Sequence, residues 1–228
     1  MTNDSLRLNK HLALQLGVSR READNLIEQG RVRVDGQVAT LGARIAPTAE
    51  LLVNNLPIAA NTVKAYIAFH KPAGYVCSRK TQGDAPTIYE LLPNELHALK
   101  PVGRLDKDSS GIILLTNDGD FTYEMTHPKF YKQKSYEVQL DAELAPLHQQ
   151  MINDYGVTLE DGPSKLSLER LSDTNRTDWT VRMHEGRNRQ IRRTFAALGY
   201  TVTGLHRTEF GRYTLGKLAP GQHASIEK

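Results

Sequence analysis

The chain has 228 residues, with 29 Lys and Arg against 26 Asp and Glu for a formal net charge of +3. That length predicts one to two domains, and a hydrophobic share of 39% beside 24% charged residues excludes disorder and collagen-like repeats. The longest clearly aliphatic run, Ile112 to Leu115, is far too short to span a membrane, and Met1 to Lys10 lacks the apolar core of a secretory signal, so a cytoplasmic protein without a membrane partner is expected.

From Leu6 to Leu16, the residues Leu8, Leu12 and Leu16 recur every four positions and predict a helix with one apolar face. Ser19 opens a second helix. Its hydroxyl and the Glu22 carboxylate form the reciprocal Ser-x-x-Glu capping pattern, Ala23, Leu26 and Ile27 supply the buried stripe, and Gly30 stands at the left-handed stop. Val32 to Val34 alternates with period two, Asp35-Gly36 is a two-residue turn signal, and Val38 resumes the pattern, so a hairpin follows. Seven basic residues between Arg7 and Arg44 face four acidic ones, a surplus equal to that of the whole chain. Arg20 and Arg21 at a helix N-terminus suit a phosphate backbone; a solvated helix face is the alternative. Leu8-Asn9-Lys10, Ser19 to Asp24, Ile27 to Gly30 and Val34-Asp35-Gly36 together resemble the S4-type RNA-binding domain, which implies RNA contacts through Lys10, Arg20 and Arg21.

Pro57 and Ala59-Ala60-Asn61 break the pattern, so a linker is expected around Leu56 to Lys64 and the domains are read as 1–62 and 63–228. Ala65 to Phe69 predicts a strand, stopped by Lys71-Pro72 and Gly74 and resumed at Tyr75 to Cys77. Further strands are expected at Ile112 to Thr116, Tyr136 to Leu140 and Trp179 to Met183, and a helix at Arg189 to Leu198 with Ile191, Phe195 and Leu198 on one face. This is a mixed α+β pattern.

No glycine-rich phosphate loop, dinucleotide fingerprint or His-Glu-x-x-His helix is present, and the single cysteine, Cys77, excludes a disulfide and multi-cysteine zinc patterns. Eight scattered histidines show no ligand spacing, and His184 and His206 flank a basic segment where RNA or solvent is the expected contact rather than metal. A reaction without cofactor or metal is the economical reading. Two stretches stand out. Gly103 to Gly111 is a polar loop delivered onto the Ile112 strand, either a functional loop or a plain turn in which Asp106 or Asp108 bonds nearby amides. Between His184 and Arg212 there are six arginines, no lysine and two acids, which favours bidentate phosphate or carboxylate contacts over a solvated face.

These stretches resemble the RsuA-like family of bacterial ribosomal RNA pseudouridine synthases over nearly the whole chain. The resemblance is carried by Gly103-Arg104-Leu105-Asp106 through Gly111 to Thr116-Asn117-Asp118-Gly119, by Lys134-Ser135-Tyr136, and by Gly186-Arg187-Asn188-Arg189-Gln190-Ile191-Arg192-Arg193, with Lys71-Pro72-x-Gly74 and Leu218-x-Pro220-Gly221. It implies an S4-type domain followed by a catalytic domain on a mixed, largely antiparallel sheet with flanking helices, and no cofactor. It also implies Asp106 as the essential carboxylate, Tyr136 stacked on the target base and Arg192 as the cation beside Asp106. RNA contacts are implied at Arg104, Arg187, Arg189 and Arg193, with Arg104 filling the gap left by a flipped base or holding the backbone.

Ser19 to Gly30, Ala39 to Gly42, Gly103 to Ser109, Gly199 to Val202 and Arg207-Thr208 resemble the branch acting on large-subunit RNA, one type of which also modifies a tRNA. Tyr75 to Ser78 and Leu205 to Arg207 resemble the small-subunit branch. Ribosomal RNA, from the large subunit by preference, or a ribosomal precursor is the expected partner of a monomer. Two rival readings stand beside this one: a non-catalytic RNA-binding assembly factor using the same basic surfaces, and a small-molecule hydrolase with Asp106 and Asp108 as an acid/base pair.

Overall fold

The computed structural model describes residues 5–58, 63–79 and 81–228. Their contacts separate into two compact units that divide between Lys64 and Ala65. Among the described residues no helix is long and apolar enough to cross a membrane.

In the first unit, helices Leu8–Gln15 and Arg20–Glu28 pack Leu8, Leu12, Ala23 and Ile27 into one apolar cluster with Val32, Ile45, Leu51 and Val53. The second helix starts with the capping box read from sequence: the Glu22 amide donates to the Ser19 hydroxyl at 3.1 Å, and the Ser19 amide donates to the Glu22 carboxylate at 2.6 Å. It ends as expected at Gly30. There φ is +67°, the Gly30 amide donates to Ile27 and the Arg31 amide to Leu26, which closes a Schellman motif. Asn9 donates to both oxygens of Asp24 and ties the two helices together. Val32–Val34 and Gln37–Val38 form the expected hairpin, with left-handed Asp35 and Gly36 at its turn. The expected linker begins too early. Leu51–Val53 and Leu56–Pro57 form a second hairpin about left-handed Asn54 and Asn55, and the rest of the Ala59-Ala60-Asn61 break lies outside the described residues.

The second unit is organised by a nine-stranded sheet. Its main path runs Ser167–Ser172, Asn175–Met183, Lys134–Leu140, Val202–Phe210, Ser110–Thr116, Tyr66–Lys71 and His223–Ser225. Every recorded pairing is antiparallel except that of Val202–Phe210 with Ser110–Thr116. The expected strands are therefore present, with Tyr66–Lys71 running to Lys71. Tyr75 to Cys77 does not rejoin the sheet, since only a single bridge links Val76 to Thr87.

The apolar run Ile112 to Leu115 is continuous because its strand is covered on both faces. Ile113 and Leu115 enter one cluster with Phe69, Val138, Trp179 and Phe195, while Ile112 and Leu114 enter another with Phe121, Met125 and Phe210. Phe121 and Met125 come from helix Gly119–Thr126, whose N-terminal amides at Asp120 and Phe121 donate to the Asp118 carboxylate. The Asp118 carboxylate also accepts from the Tyr66 hydroxyl at 2.8 Å; burial first, then Asp118, pushes that phenol up to about 12. Thr116-Asn117-Asp118-Gly119 thus closes the strand-to-helix corner. Helix Gln190–Ala196 buries Ile191 and Phe195 as expected.

The single parallel junction spans two residue pairs, Ser110 with His206 and Gly111 with Arg207. Gly111 has φ +112°, and a methyl group there would run into the backbone of Arg207. Gly111→Ala should therefore lower the unfolding free energy by about 3 kcal/mol or more, from backbone strain and overpacking together. Urea denaturation followed by tryptophan fluorescence measures it; a change near zero would show that the strands part without cost.

Candidate active site

The loop from Gly103 to Ser109 reaches the surface between two anchors. Leu105 is buried and its amide points at the Cys77 sulfur, 3.4 Å away. Beneath the loop lies the ammonium of Lys71, which has no exposed surface. Its Nζ donates to the carbonyls of Ser109 at 2.5 Å, Asp106 at 3.0 Å, Pro72 at 3.1 Å and Lys107 at 3.4 Å. Burial pulls the Lys71 pKa down, against the opposing pull of Cys77, Asp108 and Asp106. The Gly74 amide donates to Lys107 at 2.7 Å, so the Lys71-Pro72-x-Gly74 motif shapes the backbone that carries Asp106.

Asp106 opens onto a cleft of about 740 Å³ whose wall includes Arg104, Lys134, Tyr136, Arg189 and Arg207. Tyr136 is buried and reaches the cleft from the Lys134–Leu140 strand. Arg104 is exposed and makes no hydrogen bond or ion pair among the described residues, so its guanidinium is available at the cleft. The structure thus brings Asp106, Tyr136, Arg104 and Arg189 together.

The cation beside Asp106 differs from the expectation. Arg189, not Arg192, approaches it, with Nη1 3.4 Å from Oδ2. Arg189 occupies a left-handed conformation at φ +46°, just before helix Gln190–Ala196, and that turn swings its side chain back over the loop. It spans the carboxylate of Asp108 as well, at 3.3 Å through each Nη. Arg192 lies outside the cleft wall. Its guanidinium donates to the carbonyls of Val202 at 2.7 Å and Asp108 at 3.1 Å and pairs with the Asp108 carboxylate at 3.3 Å, clamping the outer side of the loop.

Asp108 itself does not line the cleft. Burial raises its pKa, but the Arg189 hydrogen bond and the charges of Arg192 and Arg189 outweigh that and hold it below the usual carboxylate range. Asp106 faces the cleft and Asp108 does not, so the two carboxylates do not converge on one cleft as the acid/base pair of the hydrolase reading requires.

Two further arginines are already engaged. Arg193 pairs with Asp161 at 2.7 Å. Arg187 donates to the Asp161 carboxylate and to the carbonyls of Asp161, Gly162 and Pro163, at 2.8 to 3.1 Å. Together they brace the Val157–Leu159 and Gly162–Ser164 hairpin. Arg187 borders the cleft, but most of its donors are spent on that hairpin, and Arg193 stands outside the cleft wall. In the first unit Arg20 and Arg21 are exposed at the helix N-terminus, with Arg20 within 3.4 Å of Asn9, and Lys10 is half-buried on the preceding helix.

His206 also departs from expectation: it is half-buried against His70, with ring centroids 5.3 Å apart, and its Nδ1 lies 2.8 Å from the Ser110 hydroxyl. His184 is exposed beside the Tyr131 carbonyl. Among the described residues no group of three or more His, Cys, Asp or Glu is arranged to hold a metal ion. Lys71, Lys134 and Arg207 fall within motifs read from the sequence, which assigns them no role in the site. For Lys71 the available signal was a basic residue ending the mostly apolar strand Tyr66–Lys71, where a charge is buried only with a purpose.

Residues 65–197 match the family model described as RNA pseudouridylate synthase, and residues 6–51 match the S4 domain. The chain is 37% identical to the ribosomal small subunit pseudouridine synthase A of Pasteurella multocida, covering 97% of this chain and 96% of that one. It is 35% identical to the ribosomal large subunit pseudouridine synthase B of Bacillus subtilis, covering 94% and 89%. A solved structure, a crystal structure of pseudouridylate synthase, aligns with TM-score 0.69 and 32% identity over 98% of this chain and 96% of that one. Matches of this extent place the chain in the RNA pseudouridylate synthase family, as an isomerase built from an S4 domain followed by a pseudouridine synthase domain.

Proposed function

We propose that this protein converts a uridine of ribosomal RNA to pseudouridine, with Asp106 as its catalytic carboxylate. The observation that carries the reading is the convergence of Asp106, Tyr136 and Arg189 in one cleft, with Arg189 3.4 Å from Asp106. The reaction breaks the bond between uracil N1 and ribose C1′, turns the base and joins C1′ to C5. C5 loses a proton and N1 gains one, so the change is an isomerisation that consumes no other reactant. The Asp106 carboxylate serves at the ribose, and Tyr136 stacks on the base and stands near C5. A duplex uridine must leave its stack to enter the cleft, and the unengaged Arg104 at the cleft fills its place or holds the backbone. Residues 1–62 supply phosphate contacts through Lys10, Arg20 and Arg21, and residues 63–228 perform the chemistry.

Large-subunit RNA is the proposed target. Ser19 to Gly30, Ala39 to Gly42 and Gly199 to Val202 support it, while relatives named for both subunits match at nearly equal identity. On the same resemblance, a tRNA is proposed as a second substrate class.

With ribosomal RNA carrying 5-tritiated uridine, wild-type protein should release tritium, because C5 loses its hydrogen only on rejoining. Asp106→Asn should lower that release by roughly 10³-fold or more while RNA affinity stays within about threefold. Release by the variant at the wild-type rate would refute the assignment. Reversing the charges of Arg20 and Arg21 to Glu should raise KM roughly tenfold with kcat little changed and flatten the salt dependence of binding by about two ions. An equal fall in kcat would mean that the N-terminal unit shapes the site. Mapping pseudouridine in both ribosomal RNAs of a deletion strain should show a large-subunit site lost; loss of a small-subunit site alone would reverse the target.

A further inference from the structure

Two cations on the cleft wall have no counter-ion. Arg207 is 2% exposed, its Nε donates to the Ile112 carbonyl at 2.8 Å, and its Nη2 has no hydrogen-bond partner. Lys134 is 9% exposed, and its Nζ donates to the Glu185 carbonyl at 2.8 Å. Neither forms an ion pair among the described residues. The carboxylates nearest in sequence are engaged elsewhere: Glu185 with Gln190 and Arg187, Glu209 with the Ser135 hydroxyl at 2.6 Å.

The two cations meet on one aromatic ring. The Arg207 guanidinium carbon lies 4.8 Å from the centroid of Phe210, and Lys134 Nζ lies 5.4 Å from it. Their mutual repulsion and desolvation are costly at these buried positions, and Phe210 offsets only part of that cost. Burial, followed by the charge of Arg207, pulls the Lys134 pKa down to about 8. An orphaned guanidinium donor buried in the cleft wall and a crowded ammonium beside it define a site that favours negative charge.

Their position relative to Tyr136 indicates which charge. Lys134 and Tyr136 are two apart on one strand and share a face, and Arg207 is the cross-strand partner of Tyr136. A register shift between Ser135 and Tyr136 accompanies this, the kind of bulge that redirects side chains at a site. All three line the cleft. A base stacked on Tyr136 therefore lies beside both cations.

We propose that Lys134 Nζ, with the charge of Arg207 behind it in the cleft wall, binds the carbonyl oxygen of the flipped uracil on which negative charge collects when its bond to C1′ breaks. The inference rests on the assignment of isomerisation to the Asp106 cleft. The bonding electrons pass to the uracil ring, delocalise from N1 onto the carbonyl oxygens and return when C5 forms its bond to C1′. Both cations keep their protons throughout, while C5 loses its proton and N1 gains one in the later steps. Donors placed where charge develops stabilise the transition state more than the bound substrate.

The test compares wild type, Arg207→Gln and Lys134→Gln under single turnover on ribosomal RNA carrying uridine or 5-fluorouridine at the mapped position. Loss of the N-glycosidic bond and the RNA Kd are read in parallel. Each variant should lose about 100-fold in cleavage rate on uridine with Kd within threefold. On 5-fluorouridine, whose ring stabilises its own anion, the loss should shrink at least tenfold. Equal losses on the two RNAs would overturn the proposal, as would normal cleavage by either variant. Losses confined to Kd would overturn it as well and assign the pair to the substrate phosphate. If thermal melting shows that Arg207→Gln does not fold, Lys134→Gln, which leaves the Ile112 contact intact, decides alone. Failure of the wild type to act on any uridine would strike at the isomerase reading itself, whereas wild-type activity abolished by Asp106→Asn but indifferent to both Gln variants would strike only at the cation pair.

Discussion

The loop that carries Asp106 depends on one buried ammonium. Lys71 ends a strand of the central sheet, has no exposed surface and gathers four carbonyl oxygens, three of them from the loop that carries Asp106. A buried charge is tolerated only where dipoles replace the water it gives up, so the loop must turn its carbonyls inward toward Nζ. With those carbonyls turned inward, the Asp106 side chain is left at the cleft, while Leu105 and Ser109 stay buried. From the opposite side Arg192 holds the Asp108 carbonyl and carboxylate, and Arg189 spans both carboxylates. The loop is short of apolar contacts apart from Leu105, and charge supplies the rigidity that a core would otherwise give.

The same logic divides the arginine-rich segment. By composition its six arginines form one class; in space they do four different things. Arg187 and Arg193 brace a hairpin through Asp161, Arg189 and Arg192 hold the loop through Asp108, and Arg207 is buried behind the cleft. Arg212 lies beside Tyr213 and donates to the Glu227 carbonyl. Only partners distant in sequence separate these roles, and no local pattern marks Asp161 or Asp108 as the residue that absorbs a cation. The exchange of Arg192 for Arg189 beside Asp106 has the same origin: a left-handed residue before a helix redirects a side chain by an angle that spacing does not reveal.

What was legible was local chemistry. The Ser19 and Glu22 capping box, the Gly30 stop and the Asp35-Gly36 turn each satisfy backbone groups within a few residues, so the sequence alone specifies them. The strand Ile112 to Leu115 was legible because burial on both faces leaves an unbroken apolar run. Short strands such as Tyr213–Thr214 and His223–Ser225 were not, since their conformation is set by the sheet they join rather than by their own periodicity. Asp106 and Tyr136 were accessible only through resemblance, because an aspartate in a loop and a tyrosine in a strand carry no chemical signature until their neighbours are known.

Those neighbours give the cleft a polarity that fits the bond it must break. Cleavage between N1 and C1′ draws electrons from the sugar onto the base, so the transition state is positive at ribose and negative at uracil. The cleft presents a carboxylate in Asp106 and, around Tyr136, the two unpaired cations Lys134 and Arg207. The parallel junction makes this layout possible. Where Gly111 meets Arg207, the strand that follows the Asp106 loop lies directly beside the strand that carries the buried guanidinium, with no room for even a methyl group between them. The end of the Asp106 loop and the strand that carries Arg207 therefore meet at one tight backbone junction, and a change at that junction would move both groups on the cleft wall.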